Sequence, residues 1–208
     1  MKVLIACEYS GVSRRAFEAL GHEVWSADFE PAEDGAWNHY QGDCFDLIGY
    51  QHFDLMVAHP PCTYLSVSGL HWNSRGARVE GRLRADLTEE ALCFVYRLMS
   101  APIERIAIEN PIGCISTRIR KPEQIIQPYH FGEDASKATC LWLKNLPLLA
   151  PTKFIEGREV VYKGKKVRRW ANQTDSGNNN HPETKDRWKN RSRTYPGIAS
   201  AWAAQWGA

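Results

Sequence analysis

Short apolar runs alternate with stretches of helical spacing through the first 110 residues, and this alternation is the feature that most constrains the fold. Runs at 3–7, 54–58 and 105–108 predict buried strands, whereas apolar residues recur at helical spacing from about 79 to 99. Strands that alternate with helices form parallel sheets covered by those helices. We therefore expect an α/β fold with a mainly parallel sheet.

The strand signals weaken after residue 111. We expect a short helix at 122–126, a strand at 139–144, a hairpin from 159–162 and 166–170, a polar loop at 173–182 and a terminal helix at 196–206. The chain then divides into three parts. We expect a main catalytic domain at 1–150, a small basic hairpin with a polar loop at 151–190, and a C-terminal helix at 191–208 that returns to the main domain.

Charge is distributed unevenly along the chain. The net charge is +2, yet twelve Lys or Arg stand against five Asp or Glu between Lys153 and Arg193. This basic region is either a solvated surface segment or a contact for a polyanion such as DNA.

The six cysteines form no CxxC pair, so we expect free thiols and no metal site. Because the chain shows no secretion signal, we expect a cytoplasmic protein. Its apolar runs are too short to cross a membrane.

Cys62 follows Pro61 at the end of one predicted strand. A thiolate that adds to carbon 6 of cytosine makes carbon 5 nucleophilic, and such covalent catalysis needs an accessible cysteine. A position between a strand end and a following helix favours the thiolate. Cys62 is therefore a candidate nucleophile, with Pro61 in the same motif. The structural alternative is a small apolar residue in a proline turn.

Glu109 and Asn110 end the next predicted strand. Attack at carbon 6 places negative charge near N3 of the pyrimidine, and a protonated carboxyl beside N3 stabilises that charge. We expect burial at the strand end to raise the pKa of Glu109, which favours this role. The alternatives are a helix cap or an arginine pair. Asn110 is a candidate for ordering the cysteine segment.

Candidate cofactor-binding residues follow the first two strands. A single-glycine turn comes after the first strand, Asp28 is placed to accept hydrogen bonds from ribose, and Asp43 is placed to meet an adenine amino group. An Asp at a strand end is also a common helix cap. The full set is Glu8, Tyr9, Ser10, Gly11, Asp28, Asp43 and Pro60.

These residues resemble the motifs of the C5-cytosine-specific DNA methyltransferases, in the short form found in phages and prophages. The family's Pro-Cys motif with a following Ser is similar to Pro61, Cys62 and Ser66, and its Glu-Asn motif to Glu109 and Asn110. The resemblance covers roughly 3–145 and 191–207, and its weaker motifs occur in the family's order at 9–11, Asp28, 42–43 and 195–199.

The resemblance implies a Rossmann-like, S-adenosylmethionine-dependent methyltransferase sheet with a small basic C-terminal β-hairpin and loop region. It also implies S-adenosylmethionine as cofactor and DNA as partner. The chain departs from the family in three ways. Its glycine-rich turn is reduced to Gly11, Lys137 stands where the family has paired arginines, and only about 45 residues, 146–190, remain for target recognition.

Candidate DNA contacts lie in the loop at 63–84, beside the candidate active site and in the basic hairpin. The loop could close over a flipped base and its phosphates, or be an exposed basic loop. The residues are Ser66, Arg75, Arg78, Lys137, Lys165, Lys166, Arg168 and Arg169.

The leading hypothesis is a DNA cytosine-C5 methyltransferase that forms a covalent Cys62 adduct. Three alternatives remain open: methylation of a free cytosine nucleotide or RNA, an amino-methyltransferase, and a nucleic-acid-binding protein without methyl transfer. An amino-methyltransferase uses an Asp/Asn-Pro-Pro-aromatic motif, which this chain matches only in Pro60 and Pro61.

Overall fold

Across the described residues, the strands form one seven-stranded sheet and two small hairpins. The computed structural model describes residues 1–180 and 193–208. In chain order the strands are β1 (Lys2–Ala6), β2 (Glu23–Asp28), β3 (His39–Gln41), β4 (Leu55–Ala58), β5 (Arg78–Val79), β6 (Arg82–Leu83), β7 (Arg105–Pro111), β8 (Gln124–Ile126), β9 (Thr139–Lys144), β10 (Arg158–Tyr162) and β11 (Lys165–Arg169).

The strand order of the sheet is β3-β2-β1-β4-β7-β9-β8. The strands β3, β2, β1, β4 and β7 are parallel to one another. Strand β9 runs antiparallel to both β7 and β8. The mainly parallel α/β sheet predicted from the sequence is therefore confirmed, and the order β3-β2-β1-β4 is Rossmann-like. The strand order reverses between β1 and β4, and sheets of this kind form a ligand-binding crevice at that point.

The helices cover both faces of the sheet. They are α1 (Val12–Glu18), α2 (Cys44–Tyr50), α3 (Val67–Ser74), α4 (Arg84–Met99), α5 (Ile115–Arg118) and α6 (Pro196–Trp206), with one 3-10 turn at Pro128–His130. The terminal helix has the predicted bounds.

Alternate side chains of the central strands enter two separate cores, because successive strand residues point to opposite faces. Leu4 of β1 packs in a cluster with Leu92 and Val95 of α4. Ile5 packs on the other face with Phe17 of α1 and Trp202 of α6. The C-terminal helix is therefore part of the main core.

Two element predictions are wrong. Residues 122–126 contain strand β8 rather than a helix, because Gln124–Ile126 pairs with β9 and Ile126 is buried. The long helix begins at Arg84 rather than near 79, because positive φ angles at Glu80 and Gly81 make the turn of the β5–β6 hairpin. Helix α3 lies within the loop predicted at 63–84.

The predicted basic hairpin is present as β10 and β11, with Val160 opposite Val167. Its base is held by Trp170, whose ring stacks on Tyr129 at 4.1 Å between centroids. Part of the predicted loop at 173–182, and parts of the predicted segments 151–190 and 191–208, fall at 181–192, outside the described residues. The three-part domain division stays a prediction.

The loop after β4 is attached to the chain that follows β7. The Cys114 amide donates to the Leu65 carbonyl, the Val67 amide donates to the Ile112 carbonyl, and Ser66 forms a β-bridge with Gly113. A Cβ atom at Gly113 would lie 2.0 Å from the Leu65 oxygen, so only glycine permits this approach.

We expect Gly113→Ala to lower the free energy of unfolding by about 1–3 kcal/mol, because the new methyl group collides with rigid backbone. Gly49→Ala is the matched control, since a Cβ there would meet nothing within 4 Å. Urea denaturation followed by circular dichroism measures both. Equal stability of the two variants would show that the backbone of Leu65 leaves room for a side chain at position 113.

Candidate active site

A cavity of about 340 Å³ lies beyond the carboxyl ends of β1, β2 and β4. This volume is within the range of small-molecule sites. Three of the predicted cofactor residues, Asp28, Asp43 and Pro60, line it. The rest of its wall is largely apolar and comes from the strand ends, the 60–65 loop and α4, including Cys7, Ala27, Phe29, Leu65, Leu87 and Phe94.

Two carboxylates give the cavity its polarity. Asp28 Oδ1 accepts a hydrogen bond from the Glu30 amide at 3.0 Å, and burial raises the pKa of Asp28. Asp43 caps α2, with Oδ1 accepting from the Phe45 amide at 3.0 Å. A carboxylate has capacity for several hydrogen bonds, so both residues can accept further donors from a ligand.

The single-glycine turn lies beside the cavity without lining it. Cys7 lines the cavity, and its φ of 59° turns the chain away from it. Glu8 then bends back to α1, where its carboxylate accepts from the Ser13 amide at 2.7 Å and the Arg14 amide at 3.2 Å. Ser10 donates to the same carboxylate at 3.2 Å. These contacts give Glu8 a capping role.

Tyr9 is buried, and its carbonyl accepts from the Glu33 amide. Gly11 has a φ of 68° and lies among the side chains of Arg14, Arg15 and Asp34. The contact of Glu8, Tyr9, Ser10 and Gly11 with a cofactor stays a prediction, and the structure adds Cys7 to the candidate lining. Cys7 ends the same apolar run, so the strand-end rule alone could have selected it.

Cys62 lies in an exposed turn after β4. Its carbonyl accepts from the amides of Leu65 and Ser66, both at 3.0 Å. Pro61 before it lines the cavity, whereas Cys62 is outside the lining described for the cavity. The side chain of Asn110 donates to the carbonyl of Pro60 at 2.6 Å, which attaches the cysteine segment to the end of β7.

Glu109 lies in a narrow cleft on the other side of the β4 end. Lys137, Thr139, Tyr195, Ile198 and Trp202 share this cleft with it, and Arg193 stands at the same wall. The cleft is therefore lined by residues of β7, of β9 and the chain before it, and of α6 and the chain before it. Lys137, predicted to replace the family's arginines, lies beside Glu109.

His59 is a functional candidate that sequence reasoning did not select. It directly follows β4, and its Nδ1 lies 3.2 Å from Glu109 Oε2. Its position at a strand end is the same signal that selected Cys62, but nothing in the sequence shows a partner 50 residues away.

The pKa of Glu109 is lowered, contrary to the prediction that burial would raise it. Burial does favour the neutral acid and is the largest single influence. The hydrogen bond from His59 and the positive charges of Lys137 and His59 together outweigh it. Glu109 is therefore a carboxylate at neutral pH in the free protein.

Among the candidate DNA contacts of the 63–84 loop, Arg75 and Arg78 are exposed and Ser66 is half-buried, and all three are close to Cys62 in sequence. Arg75 lies over the Trp72 ring at 5.3 Å, Arg78 donates to the Gly81 carbonyl at 2.6 Å, and Ser66 bonds the Ser68 hydroxyl at 3.0 Å. Arg84 of the same loop is buried and donates to the Thr63 carbonyl, so it stabilises the loop.

The hairpin cations are partly neutralised by neighbouring acids. Lys166 pairs with Glu159 at 2.9 Å and Arg168 pairs with Glu156 at 2.6 Å. Arg169 donates to the Asp175 carbonyl at 3.1 Å, and Lys165 is exposed. The hairpin therefore presents less free positive charge than its composition suggests.

Hydrogen bonds connect the base of the hairpin to the segment that precedes Lys137. Asn172 exchanges two hydrogen bonds with Ser136, the neighbour of Lys137. The Ala171 amide donates to Asp134 at 3.0 Å. The hairpin and the cleft are thus joined through the segment that carries Lys137.

Within the described ranges, no group of three or more His, Cys, Asp or Glu side chains is arranged to hold a metal ion. Across the same part of the chain, none of the helices has the length and apolar character needed to cross a membrane.

No protein-family model matches the chain, and no curated protein sequence matches it. Among solved structures, the chain is similar to the crystal structure of a protein described as a DNA modification methyltransferase encoded within a prophage (E. coli). The TM-score is 0.46 at 13% identity, over 74% of this chain and 52% of the other. The chain spans about half the length of that protein, and a likeness this distant says nothing about activity.

We expect His59→Phe to raise the pKa of Glu109, because the change removes the hydrogen bond and charge that lower it and leaves the burial that raises it. Carboxyl 13C NMR over a pH series measures this titration. His52→Phe, at an exposed histidine, is the control and should leave the Glu109 titration unchanged. An unaltered Glu109 titration in His59→Phe would contradict the assigned cause.

Proposed function

We propose that this protein is an S-adenosylmethionine-dependent methyltransferase that acts at carbon 5 of cytosine in DNA through a covalent adduct with Cys62. One observation carries the proposal. The exposed Cys62 turn and the Glu109 strand end are joined by the Asn110–Pro60 hydrogen bond, next to a cavity whose wall includes two carboxylates. A thiol, an acid and a cofactor-sized cavity are the components that this reaction needs.

The cavity fits S-adenosylmethionine in size and in polarity. Asp28 is a half-buried carboxylate whose charge would be stabilised by the two hydroxyl donors of a ribose. Asp43 is placed to accept from an adenine amino group, and apolar residues such as Phe29 and Leu65 provide surface for the ring. When bound, the cofactor supplies an electrophilic methyl group.

Cys62 is the proposed nucleophile. Its thiolate adds to carbon 6 of cytosine, and the electron pair of the 5,6 double bond moves toward carbon 5 and N3. Carbon 5 can then take up the methyl group. Solvent water then takes the proton from carbon 5, the C5–H electron pair re-forms the 5,6 double bond, and the thiolate leaves with the C6–S pair. Its exposed position suits a nucleophile that must reach a base brought in from outside.

Glu109 is the proposed partner of N3. The negative charge that develops there needs a proton or a hydrogen-bond donor, and Glu109 is held at a fixed position by β7 and by His59. Lys137 in the same cleft adds positive charge close to the developing negative charge. The approach of Cys62 and Glu109 to the same ring is part of the proposal.

DNA is the proposed substrate, with the target cytosine flipped out of the duplex. Arg75, Arg78 and Ser66 near the cysteine loop, and Lys165 of the hairpin, are the proposed phosphate contacts. The ion pairs in the hairpin favour a second candidate, a free cytosine nucleotide as the acceptor, because Lys166 and Arg168 already have acidic partners.

Incubation with labelled S-adenosylmethionine tests the function directly. Duplex DNA, RNA and dCMP are compared as acceptors, and the products are digested and separated as nucleosides. Label in 5-methyldeoxycytidine from DNA supports the proposal. Label on an exocyclic amine, or no label in any acceptor, would overturn it.

We expect Cys62→Ser to abolish both methyl transfer and adduct formation with DNA that contains 5-fluorocytosine, because a hydroxyl is far less nucleophilic than a thiolate. Cys93→Ser is the matched control at another exposed cysteine and should keep both activities. Denaturing electrophoresis detects the covalent complex. An adduct formed by Cys62→Ser would remove the proposed nucleophile.

We expect Asp28→Asn to weaken S-adenosylmethionine binding by about 10–100-fold, the scale of losing a charged hydrogen-bond acceptor. Calorimetric titration gives the affinity. Asp86→Asn, at an exposed position in α4, is the control. Equal affinities for the two variants would place the ribose elsewhere.

A further inference from the structure

His59 is held in a fixed place by the sheet. Its amide donates to the Ala6 carbonyl at 2.9 Å, so it continues β4 along β1 by one residue. Its side chain is only 7% exposed, and its ring packs against Trp202 of α6 at 5.4 Å between centroids. A buried ring of this kind has little freedom to change its direction.

Both ring nitrogens of His59 have polar partners. Nδ1 lies 3.2 Å from Glu109 Oε2, and Nε2 lies 3.5 Å from the hydroxyl of Ser13. The amide of Ser13 is in turn bonded to Glu8 at the start of α1. The histidine therefore joins the first helix of the fold to the acid in the cleft.

We propose that His59 is a positioning residue that orients the Glu109 carboxyl and supplies it with the proton needed at N3 of the target base. This inference rests on the proposed function. It is needed because Glu109, beside His59 and Lys137, favours the ionised form and has no proton of its own to give. His59 is in direct contact with Glu109, and either nitrogen of an imidazole ring can carry and release a proton.

The proton path is balanced. As the Cys62 thiolate bonds to carbon 6, the proton on His59 Nδ1 passes to the Glu109 carboxyl, and the carboxyl proton passes to N3. His59 is left neutral, with its remaining proton on Nε2 facing the Ser13 hydroxyl. When solvent water takes the proton from carbon 5, the C5–H electron pair re-forms the 5,6 double bond, the thiolate leaves with the C6–S pair, and the N3 proton returns through Glu109 to His59.

Other charged or titratable groups lie close to this pair. Lys137, Arg193 and Tyr195 share the cleft with Glu109, Cys140 interacts electrostatically with Glu109, and Glu8 is joined to His59 through Ser13. The carbonyl of Pro60, held by Asn110, fixes the backbone next to His59.

His59→Asn is the decisive variant. An asparagine amide can donate a hydrogen bond from near the Nδ1 position, so Glu109 stays in place, but the amide cannot release a proton at these pH values. His52→Asn, at an exposed histidine, is the control. The readouts are kcat and KM for the best acceptor over pH 5.5–8.5, with calorimetric S-adenosylmethionine affinity.

We expect kcat of His59→Asn to fall at least about 10-fold at pH 7.5, with KM and cofactor affinity within about 2-fold of the unaltered protein. The ratio of variant to unaltered kcat should rise as pH falls, because acid supplies Glu109 with the proton that His59 no longer gives. Dividing the kcat of the variant by the kcat of the unaltered protein cancels the pH effects that both proteins share.

A uniform loss of kcat at every pH would show that His59 only shapes the site, and unchanged kcat would show that it is dispensable. Either result overturns the inference while leaving the proposed function intact. If the unaltered protein methylates no acceptor, the proposed function itself fails and the inference falls with it.

Discussion

Several contacts hold together the two segments on which the candidate site depends, and one of them is a buried hydrogen bond from the Asn110 side chain. Asn110 is 1% exposed, and its amide donates to the Pro60 carbonyl at 2.6 Å. Because Asn110 lies near the end of β7 and Pro60 follows β4, the bond fixes the cysteine loop relative to Glu109. Asn110 Oδ1 has no partner among the described residues, which costs about 1–3 kcal/mol. Such a cost is tolerated where it keeps a reactive segment in place.

The electrostatics of the cleft result from a competition in which specific partners outweigh burial. A carboxyl removed from water at a strand end would by itself hold its proton. Glu109 instead has an imidazole on one side and an ammonium in the same cleft, and these reverse the direction of its pKa shift. Asp28 has weaker partners, and burial decides its pKa. The pKa of Glu109 is therefore lowered and that of Asp28 is raised, although both acids lie near the carboxyl ends of parallel strands.

Much of the fold follows from the sequence because the central strands are fully apolar and bounded by polar turns, as at 55–58 and 105–108. The rest depends on pairing across the chain. Gln124–Ile126 becomes a strand only because β9 lies beside it, and α3 has a nearly uniform surface with no apolar face to reveal it. In the site, Cys62 and Glu109 stand out by residue type. His59 does not, since its importance comes from Glu109 and Ser13, both distant in sequence.

The placement of Trp202 against His59 has a consequence for how the protein is made. During synthesis, β1, β4 and β7 leave the ribosome long before α6, and until α6 is made the sheet face that carries Ile5 lacks its cover. Trp202 shields the His59 ring only once α6 has packed on that face. A nascent chain stalled before residue 196 would therefore leave the acid–imidazole pair open to water.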